Sequence, residues 1–236
     1  MAVAKKSTNW FVVGVSTAVV IVLVAIGAAV WWANSLATGP GTAPQSALVD
    51  KDTGAITFGT GDDVVDTYVD FMCPICGDFE DQYGEQLQTA AADNAITLNI
   101  HPISILDRYS QNTKYSTRAA SAMYCVADKA PDAALGYFNS LFTNQPEENS
   151  VGLSDDELAS LANEAGAGAA ADCIADGTYK TFVASQTTKH DIQGTPTVEV
   201  NGKRLDLQAG EITKLEDVLA KAGTAGSGAD GDSSGK

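Results

Sequence analysis

Positive charge is scarce in this chain: 14 lysines and arginines stand against 30 aspartates and glutamates, a formal net charge of −16. No basic cluster or basic helical face breaks that balance, which argues against nucleic acid as a partner. The acidity reads as a solvated surface, so no partner is drawn from it. Soft metal ligands are few as well, four cysteines and two histidines in 236 residues. A zinc site takes about four such ligands, so a cysteine pair here would lack partners, and no metal is expected. No internal repeat is visible.

Charge of either sign is missing between Lys6 and Asp50, and Trp10 to Trp32 is almost wholly apolar. As a helix that run spans about 34 Å, enough to cross a bilayer. Lys5 and Lys6 precede it and no basic residue follows closely, so residues 1–9 are expected in the cytoplasm and everything after the 10–33 anchor outside. The three tryptophans, Trp10, Trp31 and Trp32, fall at its two ends, where indole prefers the headgroup region. A cleaved signal peptide is the competing reading, since Ser35-Leu36-Ala37 loosely fits a cleavage site. The apolar run exceeds the h-region of about 7 to 15 residues that such a leader carries. Either way the domain reaches an oxidising compartment in which disulfides persist.

Phe71-Met72-Cys73-Pro74-Ile75-Cys76 joins a hydrophobic strand to an amphipathic helix. Val64 to Phe71 is rich in β-branched and aromatic residues and reads as a buried strand. Cys76, Phe79, Tyr83, Leu87 and Ala90 then recur every three or four residues, one face of a helix running to about Ala92. Pro74 suits the first turn, where a missing N–H costs nothing. A thiolate at such a helix start meets unpaired N–H groups, so its pKa falls and it attacks disulfides at neutral pH. This placement predicts Cys73 exposed at the tip as nucleophile and Cys76 turned inward as the resolving thiol.

Asn34 to about residue 54 is rich in Gly, Pro, Ala, Thr and Ser and reads as a flexible spacer; residues 223–236 read as a disordered tail. Between them strands are predicted at Ala55 to Phe58 and Ile96 to His101 around the Cys73 helix, a βαβ unit. Residues 104–192 turn helical, with segments near 115–129, 133–142, 154–165, 169–175 and 179–190; Ser154 with its acidic first turn strengthens one start. Thr197 to Val200 and Arg204 to Leu207 flank Asn201-Gly202, a strong hairpin signal, and a last helix is predicted from about Glu211 to Ala222.

Asp70-Phe71-Met72-Cys73-Pro74-Ile75-Cys76 early, Gly194-Thr195-Pro196-Thr197 late and a helical insertion between them resemble the DsbA-like branch of the thioredoxin superfamily over residues 55–222. The resemblance implies an α/β thioredoxin-like fold with a helical insertion, and an enzyme whose only redox group is the Cys73–Cys76 disulfide, with no cofactor. It implies that the bond before Pro196 is cis and that Thr195 contacts Cys73. Backbone groups there would pair with an extended substrate, as in β-augmentation. A trans proline starting an edge strand is the plain alternative, against which the cysteine motif weighs. Implied partners are unfolded exported proteins with free cysteines and a membrane-embedded reoxidising protein.

With Cys73 and Cys76 paired, Cys125 and Cys173 are left for each other, and a structural disulfide is predicted between them. Ile75 stands where strongly oxidising relatives carry histidine, and Thr67 where many thioredoxin-like proteins carry a buried acid, with Asp66 on the opposite strand face. Both departures point to a milder oxidant. His101 and His190 read as caps or surface residues, and Asp70 as either an electrostatic influence on Cys73 or a turn cap. Isomerase or reductase chemistry at the same cysteines is the close alternative. A soft-metal chaperone holding Cu(I) between two thiolates is the reading from another class.

Overall fold

The computed structural model describes residues 21–29 and 41–226. It divides into two units, residues 1–39 and 40–236. In the first, residues 21–29 are helical, and Ile21, Val22, Leu23, Val24 and Ile26 are exposed. Among the described residues no helix is long and apolar enough to cross a membrane. Most of the expected 10–33 anchor lies outside the described residues.

The second unit is built on a five-stranded sheet of β1 (Ile56–Phe58), β2 (Asp63–Val69), β3 (Ile96–Pro102), β4 (Thr197–Val200) and β5 (Lys203–Arg204), in the order β1-β3-β2-β4-β5. β2 and β3 run parallel, from Asp63 opposite Ile96 to Val69 opposite Pro102; the other pairs are antiparallel. A parallel pair needs a crossover. α1 (Pro74–Phe79), a π-helical turn (Glu80–Gly84) and α2 (Glu85–Ala92) supply it. The helix expected to run unbroken to Ala92 therefore carries a wide turn at its centre. Phe79, Tyr83, Leu87 and Ala90 remain buried across it.

Between β3 and β4 come α3 (Tyr115–Lys129), α4 (Ala134–Thr143), α5 (Asp155–Glu164), α6 (Ala171–Asp176) and α7 (Lys180–Lys189), and α8 (Thr213–Gly226) follows β5. α3 is the pillar of this insertion: 12 of its residues are buried, many of them Ala or Ser, so neighbouring helices can pack on every side. α5 starts where Ser154 Oγ accepts from Glu157 N–H and the Glu157 carboxylate accepts from Ser154 N–H, a reciprocal capping box.

Two expectations need correction. The spacer to residue 54 is part of the fold from residue 41 onward. Val49 is buried and bridges to Ile56, while Gln45 and Ser46 N–H donate to the Asp128 carboxylate. Small polar residues looked like linker because their partners lie some eighty positions away. The second hairpin strand stops at Arg204 instead of Leu207, because the Asp206 carboxylate accepts from Gln208 and Ala209 N–H and turns the chain. Asn201 and Gly202 take φ of 52° and 73°, as a tight two-residue hairpin turn requires. α8 extends through Gly226, past the expected start of the tail, whose remaining residues lie outside the described ones.

Candidate active site

The carboxyl end of β2 delivers the chain to a turn in which Cys73 N–H donates to Asp70 O at 3.0 Å. Asp70 is fully buried. Its carboxylate accepts from Met72, Ile105 and Leu106 N–H, each at 2.9 Å, and so ties the turn to the segment after β3. Burial raises its pKa to about 6 against those three donors. The turn-capping reading of Asp70 matches these contacts.

Cys73 is the N-cap of α1 and Pro74 occupies its first turn. Cys76 and Gly77 N–H both donate to the Cys73 carbonyl, at 3.0 and 3.3 Å. The Thr195–Pro196 bond is cis, and Thr195 O lies 3.3 Å from Cys73 Sγ, where it accepts from the thiol. The Thr195 hydroxyl is buried with no hydrogen-bond partner among the described residues. It is the spare donor for a thiolate.

Cys73 and Cys76 are both free thiols in this structure, and their acidities diverge. The Cys76 thiol, donating to Cys73, is the largest cause lowering the Cys73 pKa from 9.0 to about 6. Burial opposes the change, while the Thr195 hydroxyl and the Cys76 and Ile75 N–H groups add to it. Cys76 moves the other way, well above its ordinary range, first through burial and then because it donates to Cys73 and faces its charge. One sulfur is held as a thiolate at neutral pH and its neighbour as a thiol.

The exposed nucleophile expected at position 73 is not what the structure shows. Cys73 is only 5% exposed, against 0% for Cys76, because the cis-proline loop and the Gln145 side chain close over the turn. Pro74 and Ile75 are instead the exposed residues of the motif, Ile75 at 63%.

Thr67 is buried and its hydroxyl unpartnered, whereas Asp66 binds His101 Nε2 and Asn99. His101 is buried rather than superficial, stacked on Tyr68, and His190 Nε2 bonds Thr53 O. These two histidines lie 5.1 Å apart, ring to ring, and serve the sheet and its neighbouring loops. Cys125 and Cys173 are joined as a disulfide between α3 and α6. Among the described residues no group of three or more His, Cys, Asp or Glu could hold a metal.

Two groups escaped the sequence reading. Glu80, one turn beyond Cys76, lines a cavity of about 320 Å³ with Gln88, Asn139 and Phe142; burial, then the charge of Asp81, push its pKa to about 8. Gln145 donates into the active-site turn. An isolated glutamate in an acidic helix and a glutamine in a loop carry no sequence signal of such roles.

Comparison with known proteins agrees with this geometry. A family model described as "Thioredoxin" matches residues 59–217, and the chain belongs to that family. Oxidised DsbA of Mycobacterium tuberculosis superposes with a TM-score of 0.63 at 31% identity, over 72% of this chain and 99% of that one. Reduced DsbG of the same organism gives 0.61 at 32%, over 71% and 91%. Serine/threonine-protein kinase PknE of M. tuberculosis is 37% identical over 118 residues, 48% of this chain and 21% of that protein, so the match spans about a fifth of this relative. Within its family the chain is DsbA-like, similar to solved thiol–disulfide oxidoreductases over nearly their whole length.

Proposed function

We propose that Cys73 and Cys76 are the redox pair of an extracytoplasmic, membrane-tethered enzyme that introduces disulfides into exported proteins. The observation that carries this reading is the opposite displacement of the two thiols beside the cis-proline loop. In the oxidised enzyme a substrate thiolate attacks Cys73 Sγ. The Cys73–Cys76 bond breaks, and Cys76 leaves with the electron pair and takes a proton. A second substrate thiolate then attacks the substrate sulfur of the mixed disulfide and expels Cys73 as its stabilised thiolate. Two electrons pass from substrate to enzyme, and a disulfide is left in the substrate.

A stabilised Cys73 thiolate favours the reduced enzyme and hence the oxidising direction. Ile75 presents apolar surface beside the nucleophile, and the Thr195 carbonyl offers a main-chain acceptor, features suited to an unfolded segment of any sequence. The apolar run of residues 10–33 supports the tether, and a Cys125–Cys173 disulfide suits an oxidising compartment. A membrane-embedded oxidase would regenerate the disulfide.

The test is recovery of activity by reduced, denatured ribonuclease. Wild type is expected to accelerate it and Cys73→Ser to lose all catalysis; equal rates would remove Cys73 from the mechanism. The equilibrium potential of the pair separates an oxidase from an isomerase or reductase.

A further inference from the structure

The loop after α4 places a neutral amide against the redox turn. Gln145 Nε2 donates to Cys73 O at 2.9 Å and to Phe71 O at 3.3 Å. Two carbonyls on one side fix the amide's orientation, because only its nitrogen can face them. The amide oxygen therefore points to Gly77. A methyl group at position 77 would come within 2.6 Å of that oxygen, so the amide would have to shift to admit it. Gly77 has no left-handed backbone that would otherwise call for glycine.

We propose that Gln145 is a positioning residue for Cys73, a clamp by which the helical insertion sets the charge state and reactivity of the nucleophilic sulfur, with Gly77 as its socket. The proposal rests on Cys73 being the exchanging thiol. The carbonyls of Phe71 and Cys73 turn their negative ends into the same short turn that carries Sγ. Donating into both offsets part of their repulsion of a thiolate and holds the turn in the geometry that lets Cys76 and Ile75 N–H face the sulfur. The ionisable neighbours of the turn are Cys76 and, from below, Asp70, and neither touches the amide through a hydrogen bond. Its contribution is thereby separable from theirs.

Titrating Cys73 by thiolate absorbance in the reduced protein tests this without substrate. Gln145→Ala is expected to raise the Cys73 pKa by about half a unit, which is about a threefold loss of alkylation rate under mildly acidic conditions. Gln145→Glu, which keeps the size but puts a carboxylate against two carbonyls, is expected to raise it further. Gly77→Ala forces the amide to shift and is expected to raise the Cys73 pKa in the same direction as Gln145→Ala, by no more than that variant does, and the double variant to shift no more than the larger single one. An unchanged Cys73 pKa in Gln145→Ala and Gln145→Glu, or additive shifts in the double variant, would overturn the proposal. Should Gly77→Ala fail to fold, the two Gln145 variants decide alone. Failure of the Cys73 reading shows separately, as ribonuclease reactivation surviving Cys73→Ser, and leaves the titration legible.

Discussion

Replacing Cys76 by alanine removes the group that contributes most to the acidity of Cys73 while leaving the helix start, the cis-proline loop and Gln145 in place. With its pKa at about 6, Cys73 in the wild-type protein is about nine-tenths thiolate at neutral pH. The lost interaction is a hydrogen bond to a charged acceptor in a turn that is 5% exposed at Cys73, where little water can substitute. Such bonds are worth about 1.5–3 kcal/mol, which corresponds to about one to two pKa units. Cys76→Ala is therefore expected to titrate between about 7 and 8, with the thiolate fraction at neutral pH falling to between about a half and a tenth. Thiolate absorbance against pH gives the value directly, and the pH profile of iodoacetamide alkylation gives it again through reactivity. A Cys73 pKa that stays at its wild-type value in Cys76→Ala would refute the dithiol hydrogen bond as the main cause. A wild-type value close to that of a free thiol would refute the whole electrostatic account of the site.

The Cys125–Cys173 disulfide closes 48 residues, so replacing both by alanine is expected to lower stability by about 4 kcal/mol in the chain-entropy account. Urea unfolding measures it, and a loss below about 1 kcal/mol would show that the reduced chain retains the closure. Asp70 has a folded pKa raised from 3.8 to about 6, so its contribution to stability is fully present below 3.8 and lost as pH rises through about 6. Relative to Asp70→Asn, the wild-type protein is expected to lose about 3 kcal/mol of stability across that window. A difference that is flat or grows with pH would contradict the buried, ionising carboxyl.

Much of this architecture is written in local patterns. The β-branched run of β2, the helical spacing from Cys76 to Ala90, the Asn201-Gly202 turn and the Ser154 cap each depend on residues a few positions apart, and each element is found where those patterns lie. The failures have two causes, partners far along the chain and a side chain that competes for its own backbone. Residues 41–54 looked like spacer because their partners include Asp128 and Ile56. β5 ended early because Asp206 bonded its own downstream backbone. The burial of Cys73 comes from position 145 and the loop at Thr195, more than seventy and more than a hundred residues away, which no window around the motif contains.

From its residues alone this protein determined that a cysteine pair would open a helix after a hydrophobic strand, that a second pair stood apart, and that an apolar run preceded both, since each depends on neighbouring side chains and backbone preferences. The helix-start placement already pointed to Cys73 as the acidic sulfur; only the tertiary structure decided how far its pKa falls and how deeply it is shielded. The size of the acid shift and the shielding come from groups that folding brings together: the Cys76 thiol and the Thr195 hydroxyl lower the Cys73 pKa, while the cis-proline loop lies against its sulfur. A thiol's pKa responds to the dipoles within a few ångströms of it, and folding, rather than order along the chain, sets which dipoles those are.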